Sequence, residues 1–225
     1  MEFITKIIRH ELVSGSFYIF IGSMGANILA FFLNLFLARN LSYADYGIFA
    51  SLLSVITLAS IPSSSINTII VKFATAYYSK NEISKVNNFY IYSLKFIIII
   101  SLIILLIFTV FSEIFSNYLN LNNSLYIIIS GLTVVAFYLS TLNIAFLQSI
   151  MKFAFISVAG FFGGVIKLIV GVILVYAGFR VFAGIWAIFF MTFGMFLVAF
   201  VPLSKIFKSV KREKVMIPKK EIINY

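Results

Sequence analysis

Apolar residues in this chain fall into six long runs separated by short polar breaks, and the spacing of those breaks governs the reading. About twenty consecutive apolar residues cross a hydrocarbon core as a helix, because without water only a helix or a closed barrel satisfies every backbone group. The runs predict spans at Gly15–Leu37, Tyr46–Tyr78, Phe89–Phe111, Leu125–Gln148, Ala154–Ala177 and Val181–Leu203. The expected fold class is all-α: a polytopic integral membrane protein with a bundle of six transmembrane helices. The first run is too long for a signal peptide and lacks a clear small-residue cleavage site.

The second run is too long for one straight span. At about 1.5 Å per residue it reaches about 50 Å, against a core of about 30 Å. Pro62 in "IPSSS" is the natural break, since it removes a backbone donor and the serines beside it can satisfy the carbonyls it frees. A helix prolonged beyond Ala74 is the alternative.

Composition places the chain in a bilayer: 62% of its 225 residues are hydrophobic and 11% charged, with a mean hydropathy of +1.11. The absence of cysteine excludes disulfides and thiolate metal sites. One histidine, His10, and one aspartate, Asp45, leave little for metal or acid–base chemistry, so neither an integral membrane enzyme nor a cofactor is expected. The net charge of +10 has to be read loop by loop rather than as a sign of nucleic acid, because basic residues collect on the cytosolic side.

Sorting the basic residues tests the count of six. One side receives Lys6 and Arg9, then Lys72, Lys80, Lys85 and Lys95, then Lys152, then the basic stretch from Lys205 to Lys220; the other receives Arg39 and Arg180. The alternation places both termini in the cytosol. It divides the chain into a cytosolic segment over 1–13, a six-helix lobe over 14–204 and a basic cytosolic tail over 205–225.

Lys167 stands alone inside the fifth run, in "GFFGGVIKLIVGV". At about 100° per residue Gly160, Gly163, Gly164 and Gly171 share its face, while Phe161, Phe162, Ile169 and Tyr176 take the far side. Small faces pack against other helices, so Lys167 points into protein or a wet cavity. A central lysine costs about 3 kcal/mol on the insertion scale, which the Leu, Ile, Val and Phe of the span offset at roughly 0.3–0.6 kcal/mol each. Two roles stay open: a lysine that snorkels or braces a neighbouring carbonyl, and an intramembrane cation serving a substrate.

The first run carries a matching stripe of Ser16, Ser23, Asn27, Ala30 and Asn34. Interhelical hydrogen bonding and the lining of an aqueous, sugar-binding cavity are both consistent with it. Polar residues in the second run (Ser54 to Thr68) and the fourth (Ser130, Thr133, Ser140, Thr141, Asn143) also suggest inward faces, whereas the third and sixth read as lipid-facing walls. Lys95 fits a snorkelling residue, and Lys72 divides evenly between snorkelling and cavity. "SYAD" reads as a capping box in which Asp45 opens the second span. "NNS" (Asn122–Ser124) is a weak glycosylation sequon, and no GxxxxGK phosphate loop occurs.

"LARNLSYADYGIFASLLSVI" (Leu37–Ile56) resembles the A-R-x-L-(G/S)-x-x-x-Y-G signature of the polysaccharide-biosynthesis branch of the multidrug/oligosaccharidyl-lipid/polysaccharide exporter superfamily. "LQSIMKFAFISVAGFFGGVIKLIVGVILVYAGFRVFAGIWAIF" (Leu147–Phe189) is similar to that family's fifth helix and its turn into the sixth, with Lys167 at the family's basic position. "IIVKFATAYY" matches a second basic position at Lys72. Arg180 stands where a second glycine is usual, and Ser149 where glycine often follows Leu-Gln.

The resemblance implies one lobe of a MATE-like flippase, translocating lipid-linked oligosaccharide such as O-antigen repeat units across the cytoplasmic (inner) membrane by alternating access. Its implied partners are a polyprenyl pyrophosphate glycan, membrane lipids, and a C-terminal lobe or second half-transporter. Its implied substrate-binding residues here are Lys167 and Lys72, beside Asn27, Asn34 and Ser23 read from the polar stripe. Family members carry a dozen or more helices, so a truncated or split gene is expected. A cation-coupled multidrug exporter half of the same superfamily, and a non-transporting scaffold of glycan assembly, are the alternatives.

Overall fold

A computed structural model describes residues 2–208, and the greater part of the expected basic tail lies outside the described residues. The chain is helical almost throughout: α1 (Glu2–Asn40), α2 (Tyr43–Ser60), α3 (Pro62–Tyr78), α4 (Ile83–Val110), α5 (Ser112–Tyr118), α6 (Leu125–Ser149), α7 (Phe153–Tyr176) and α8 (Val181–Lys208). Six helical stretches are long and apolar enough to cross a membrane, with α2 and α3 together making one of them. The protein is an all-α, multi-pass membrane protein.

The expected spans are all present, and the differences are at their ends. The segment assigned to the cytosol over 1–13 continues as helix into α1. Likewise α4 begins at Ile83, six residues before the hydropathy does, because "ISKVNN" extends the helix beyond the apolar slab. Pro62 stands at the first position of α3, and Ile61 before it keeps helical dihedrals, so the expected break is a kink. Around it Ser60 donates to the Thr57 carbonyl, Ser64 to that of Ile61, and Tyr138 reaches across from α6 to that of Ala59.

The core is organised around α6, the most buried of the spans, which α2, α3, α4 and α8 all pack against. Its hydroxyl residues Ser130, Thr133 and Thr141 donate to carbonyls four residues back, removing their polarity from the packing surface. At its centre the Tyr90 hydroxyl of α4 donates to Asn143 Oδ1 at 2.9 Å, and Asn143 Nδ2 donates to the Phe196 carbonyl of α8 at 3.0 Å. One buried amide thus joins three spans.

The expectation that the sixth span is a lipid-facing wall is corrected. α8 lies between α6 and α7, with Ala183, Ile185, Ala187 and Ala199 fully buried, and Phe49 of α2 and Ile166 of α7 close against Gly184 and Gly194. An apolar helix is at home in lipid or in a protein core, so hydropathy alone does not separate the two. For α4 the lipid-facing reading agrees with the structure, since Ile98, Ile99, Leu102, Ile103 and Leu106 are all exposed.

Candidate functional site

Glycines place Lys167. A methyl group built on Gly164 would meet Ala26 Cα of α1 at 3.1 Å, one on Gly163 would meet Met191 and Met195 of α8, and one on Gly171 would meet both Leu33 of α1 and Ala187 of α8. Lys167 is one helical turn from each of these three glycines. It therefore rises from the seam where α7 is clasped by α1 on one side and α8 on the other.

The same contacts show that α1 and α7 run parallel, as first and fifth spans must. Gly15, Gly22, Gly25 and Leu33 meet Phe153, Ser157, Phe161 and Gly171 in rising order. Because the helices are parallel, their phases can be followed across the seam. On α1, about a quarter turn from the packed face of Gly22, Ala26 and Leu33 leads to Ser23, Asn27 and Asn34. On α7 a similar step from Gly164 leads to Lys167, on the same side of the seam. In height Lys167 falls between Asn27 and Asn34, so four of the five expected site residues lie along the groove on one side of this seam.

Their bonding differs. The Ser23 hydroxyl donates to the Phe20 carbonyl at 3.0 Å and is occupied within its own helix. Ser23 and Asn27 form the polar part of an open depression along α1, among Phe20, Met24, Ile28 and Phe31. Asn27 is exposed, and Asn34 and Lys167 are half-buried. Among the described residues, no hydrogen bond or ion pair reaches the Asn27 or Asn34 amides or the Lys167 ammonium. The carbonyl brace that the sequence left open for Lys167 is thus not formed.

Lys72 is not brought to this recess. It lies on the exposed face of α3, and its ammonium sits 5.9 Å from the centre of the Phe73 ring, toward α4. Phe73 in turn packs against Phe89 of α4. The exposed face of α2 and α3 is nevertheless polar: Ser54, Thr57, Ser64 and Thr68 line it, each donating to a carbonyl of its own helical stretch.

The opposite end of the bundle is drawn together by the one aspartate. Ser42 caps α2, its hydroxyl accepting from the Asp45 amide at 3.1 Å as in a capping box, while Asp45 Oδ2 accepts from the Ser42 hydroxyl at 2.8 Å in place of the Ser42 backbone N–H. Asp45 Oδ2 also meets Arg180 Nε at 3.4 Å, so the α1–α2 and α7–α8 turns share one end of the bundle. Arg180 adopts a positive φ of 47°, a conformation that glycine takes without strain. No three His, Cys, Asp or Glu side chains among the described residues come together to hold a metal ion.

A sequence model of the family described as polysaccharide biosynthesis protein matches residues 36–216. The chain belongs to this family. The match takes in Lys72 and Lys167 and leaves Ser23, Asn27 and Asn34 outside it. Searches of curated proteins and of solved structures each found no match. Membership assigns this polysaccharide biosynthesis protein a role in making or exporting polysaccharide, at a membrane that its helices cross several times.

Sequence reasoning missed two features that shape the site. Tyr90 was not singled out, although Asn143 was. A tyrosine within a hydropathic run usually needs a partner when buried, and that was the available signal. The glycines of α1 (Gly15, Gly22, Gly25) also passed unremarked, although their spacing marks the face on which α7 lies.

Proposed function

We propose that this protein is one lobe of a flippase for lipid-linked oligosaccharide, carrying polysaccharide units across the cytoplasmic membrane by alternating access rather than catalysing a reaction. The observation that carries the reading is Lys167: a half-buried cation beside the α1–α7 seam to which no described residue gives a hydrogen bond or ion pair, on the same side of the seam as the unbonded amides of Asn27 and Asn34. A lipid pyrophosphate supplies the missing negative charge. Attraction between the two is stronger in a recess of low dielectric than at a surface. Amides bordering the cation suit the hydroxyl-rich sugar that follows it. A cation-coupled drug exporter is less well supported, because the acidic residues with described side chains, Asp45, Glu82 and Glu113, all sit at helix ends and none inside a span.

The test compares Lys167→Ala, Lys167→Arg and Lys167→Met in cells that depend on this gene for surface polysaccharide, measuring polysaccharide export and folded protein together. The reading expects Lys167→Ala and Lys167→Met to abolish export at undiminished abundance, since removing the charge makes the span more apolar, and Lys167→Arg to retain part of it. Equal export per folded molecule in all three would overturn the assignment.

A further inference from the structure

A polar depression lies apart from the recess, at the end of the bundle that holds the Asp45–Arg180 pair. There α4 ends and α6 begins, joined by α5 and a short turn, and the Tyr126 ring at the start of α6 stands 4.3 Å from that of Phe182 at the start of α8. Glu113, Ser116 and Asn117 of α5 form one wall of the depression and Asn122, Asn123 and Ser124 the other, around a volume of about 300 Å³. On the opposite side of α5, Ile114, Phe115 and Tyr118 are exposed. At helical spacing these three form one apolar face that suits lipid, so the depression opens at the membrane surface.

The backbone holds both walls in place. The Leu121 amide donates to the Ser116 carbonyl at 2.8 Å and the Asn120 amide to the Asn117 carbonyl at 3.2 Å, with Asn120 at a φ of 51°, the bonding of a Schellman cap. The Ser116 hydroxyl donates to the Leu121 carbonyl at 3.2 Å, and Asn123 Oδ1 accepts from the Leu125 amide at 2.9 Å. Those two side chains are thus occupied in holding the turn. By contrast, no hydrogen bond or ion pair with a described residue reaches the Glu113 carboxylate or the Asn117 and Asn122 amides. No lysine or arginine occurs in the sequence between Lys95 and Lys152.

The groups left free decide what such a hollow can bind. Its carboxylate repels phosphates and anionic headgroups. One acid gives too little charge for a metal ion, and no metal-binding trio exists among the described residues. A carboxylate and two amides in a preformed hollow instead offer acceptors and donors side by side, which is what neighbouring hydroxyls on a sugar ring require. We infer that this depression binds one sugar ring of a glycan through Glu113, Asn117 and Asn122. Hydroxyls that donate to the carboxylate make charge-assisted bonds, and because the cap already fixes the walls, binding orders little of the chain. The inference draws on the family's tie to polysaccharide and not on the flippase reading, since the site makes no use of Lys167.

Saturation-transfer NMR on the purified protein in phosphatidylcholine nanodiscs tests this, with the methyl glycosides of glucose, galactose, mannose and N-acetylglucosamine as probes and empty nanodiscs as the blank. At least one glycoside should receive saturation from the protein and titrate in the millimolar range. Asn117→Trp, which fills the hollow, should abolish the transfer, and Asn122→Ala should weaken binding about twofold to tenfold, the worth of one hydrogen bond. Circular dichroism and a melting curve establish that each variant is folded. The double variant Asn27→Ala/Asn34→Ala should bind as the wild type does; loss of transfer there, with retention in folded Asn117→Trp, would move the sugar to the recess and overturn the site. No transfer to any of the four glycosides would also overturn it, as would loss of transfer on adding EDTA, which would make a metal ion the ligand. Surface polysaccharide freed of lipid should compete with the glycosides if the site reads the finished polymer, and only the lipid-linked unit if it reads the precursor. Competition by neither would overturn a role for the site in handling polysaccharide.

Discussion

Replacing Asn143 tests whether one amide holds the α4, α6 and α8 packing together. The side chain is fully buried and makes two hydrogen bonds to other spans. Asn143→Leu keeps the number and branching of side-chain heavy atoms while orphaning the Tyr90 hydroxyl, and it removes a second donor from the Phe196 carbonyl, which also belongs to the α8 ladder. Interhelical hydrogen bonds in membranes average about 0.6 kcal/mol and reach about 1.7 kcal/mol. A buried hydroxyl left without a partner costs about 1–3 kcal/mol. The expected loss is therefore about 1–2.5 kcal/mol. Tyr90→Phe keeps the ring contacts with Phe146 and Phe207, each at 5.0 Å between centroids, and should cost about 0.5–1 kcal/mol. Once either partner is gone the other has less to lose, so the double variant should fall short of the sum by about 0.6–1.7 kcal/mol. Reversible unfolding in mixed micelles on titration with sodium dodecyl sulfate measures all four proteins. Additivity within about 0.3 kcal/mol would refute the shared bond.

Three further outcomes are expected. Gly22→Ala should destabilise by about 1–3 kcal/mol in the same assay, because its new methyl would come within 2.8 Å of Ser157 Cα, and no rotamer change moves a backbone atom. Gly47→Ala should be neutral or stabilise by up to about 1 kcal/mol, since nothing lies within 4 Å of the added carbon and alanine favours the helix; a loss would point to a contact made outside the described residues. The chain has no cysteine, so an impermeant thiol reagent can report topology: Tyr43→Cys should label on intact cells and Asn81→Cys only after the membrane is opened, the reverse pattern inverting the orientation.

The spans were legible because the bilayer imposes a single length and a single requirement, that of satisfying the backbone internally, on each run of apolar residues. The kink at Pro62 and the cap at Ser42 were legible for the same local reason, since each depends on residues within one turn. What hydropathy does not carry is which spans touch. The placing of α8 in the interior rests on Ala183, Gly184, Ala187 and Gly194, whose small size matters only against a particular neighbour. The recess was half legible: the stripe of α1 and the glycine face of α7 could each be drawn on a wheel, but their meeting on one side of a seam depends on parallel packing between helices more than a hundred residues apart. The direction of Lys72 was not legible, because a long side chain can turn either way from its helix; in the structure its ammonium stands 5.9 Å from the centre of the Phe73 ring.

The pairing of α1 with α7 also bears on how the protein is made. Within the described bundle α1 meets the other spans almost solely through α7, and the end of α7 at Tyr176 leaves the ribosome 136 residues after the end of α1 at Asn40. At about 5–20 residues per second that delay is on the order of ten seconds. During it α1 must persist in the bilayer as a solitary helix, with Gly15, Gly22 and Gly25 facing lipid and Asn27 and Asn34 without a neighbouring span. The apolar side chains that remain exposed on it, among them Phe17, Phe20, Ile21, Phe31 and Phe32, hold it there until its partner arrives. The number of polar groups that α1 can bring to the recess is accordingly limited by nascent-chain insertion, before packing or transport can act on it.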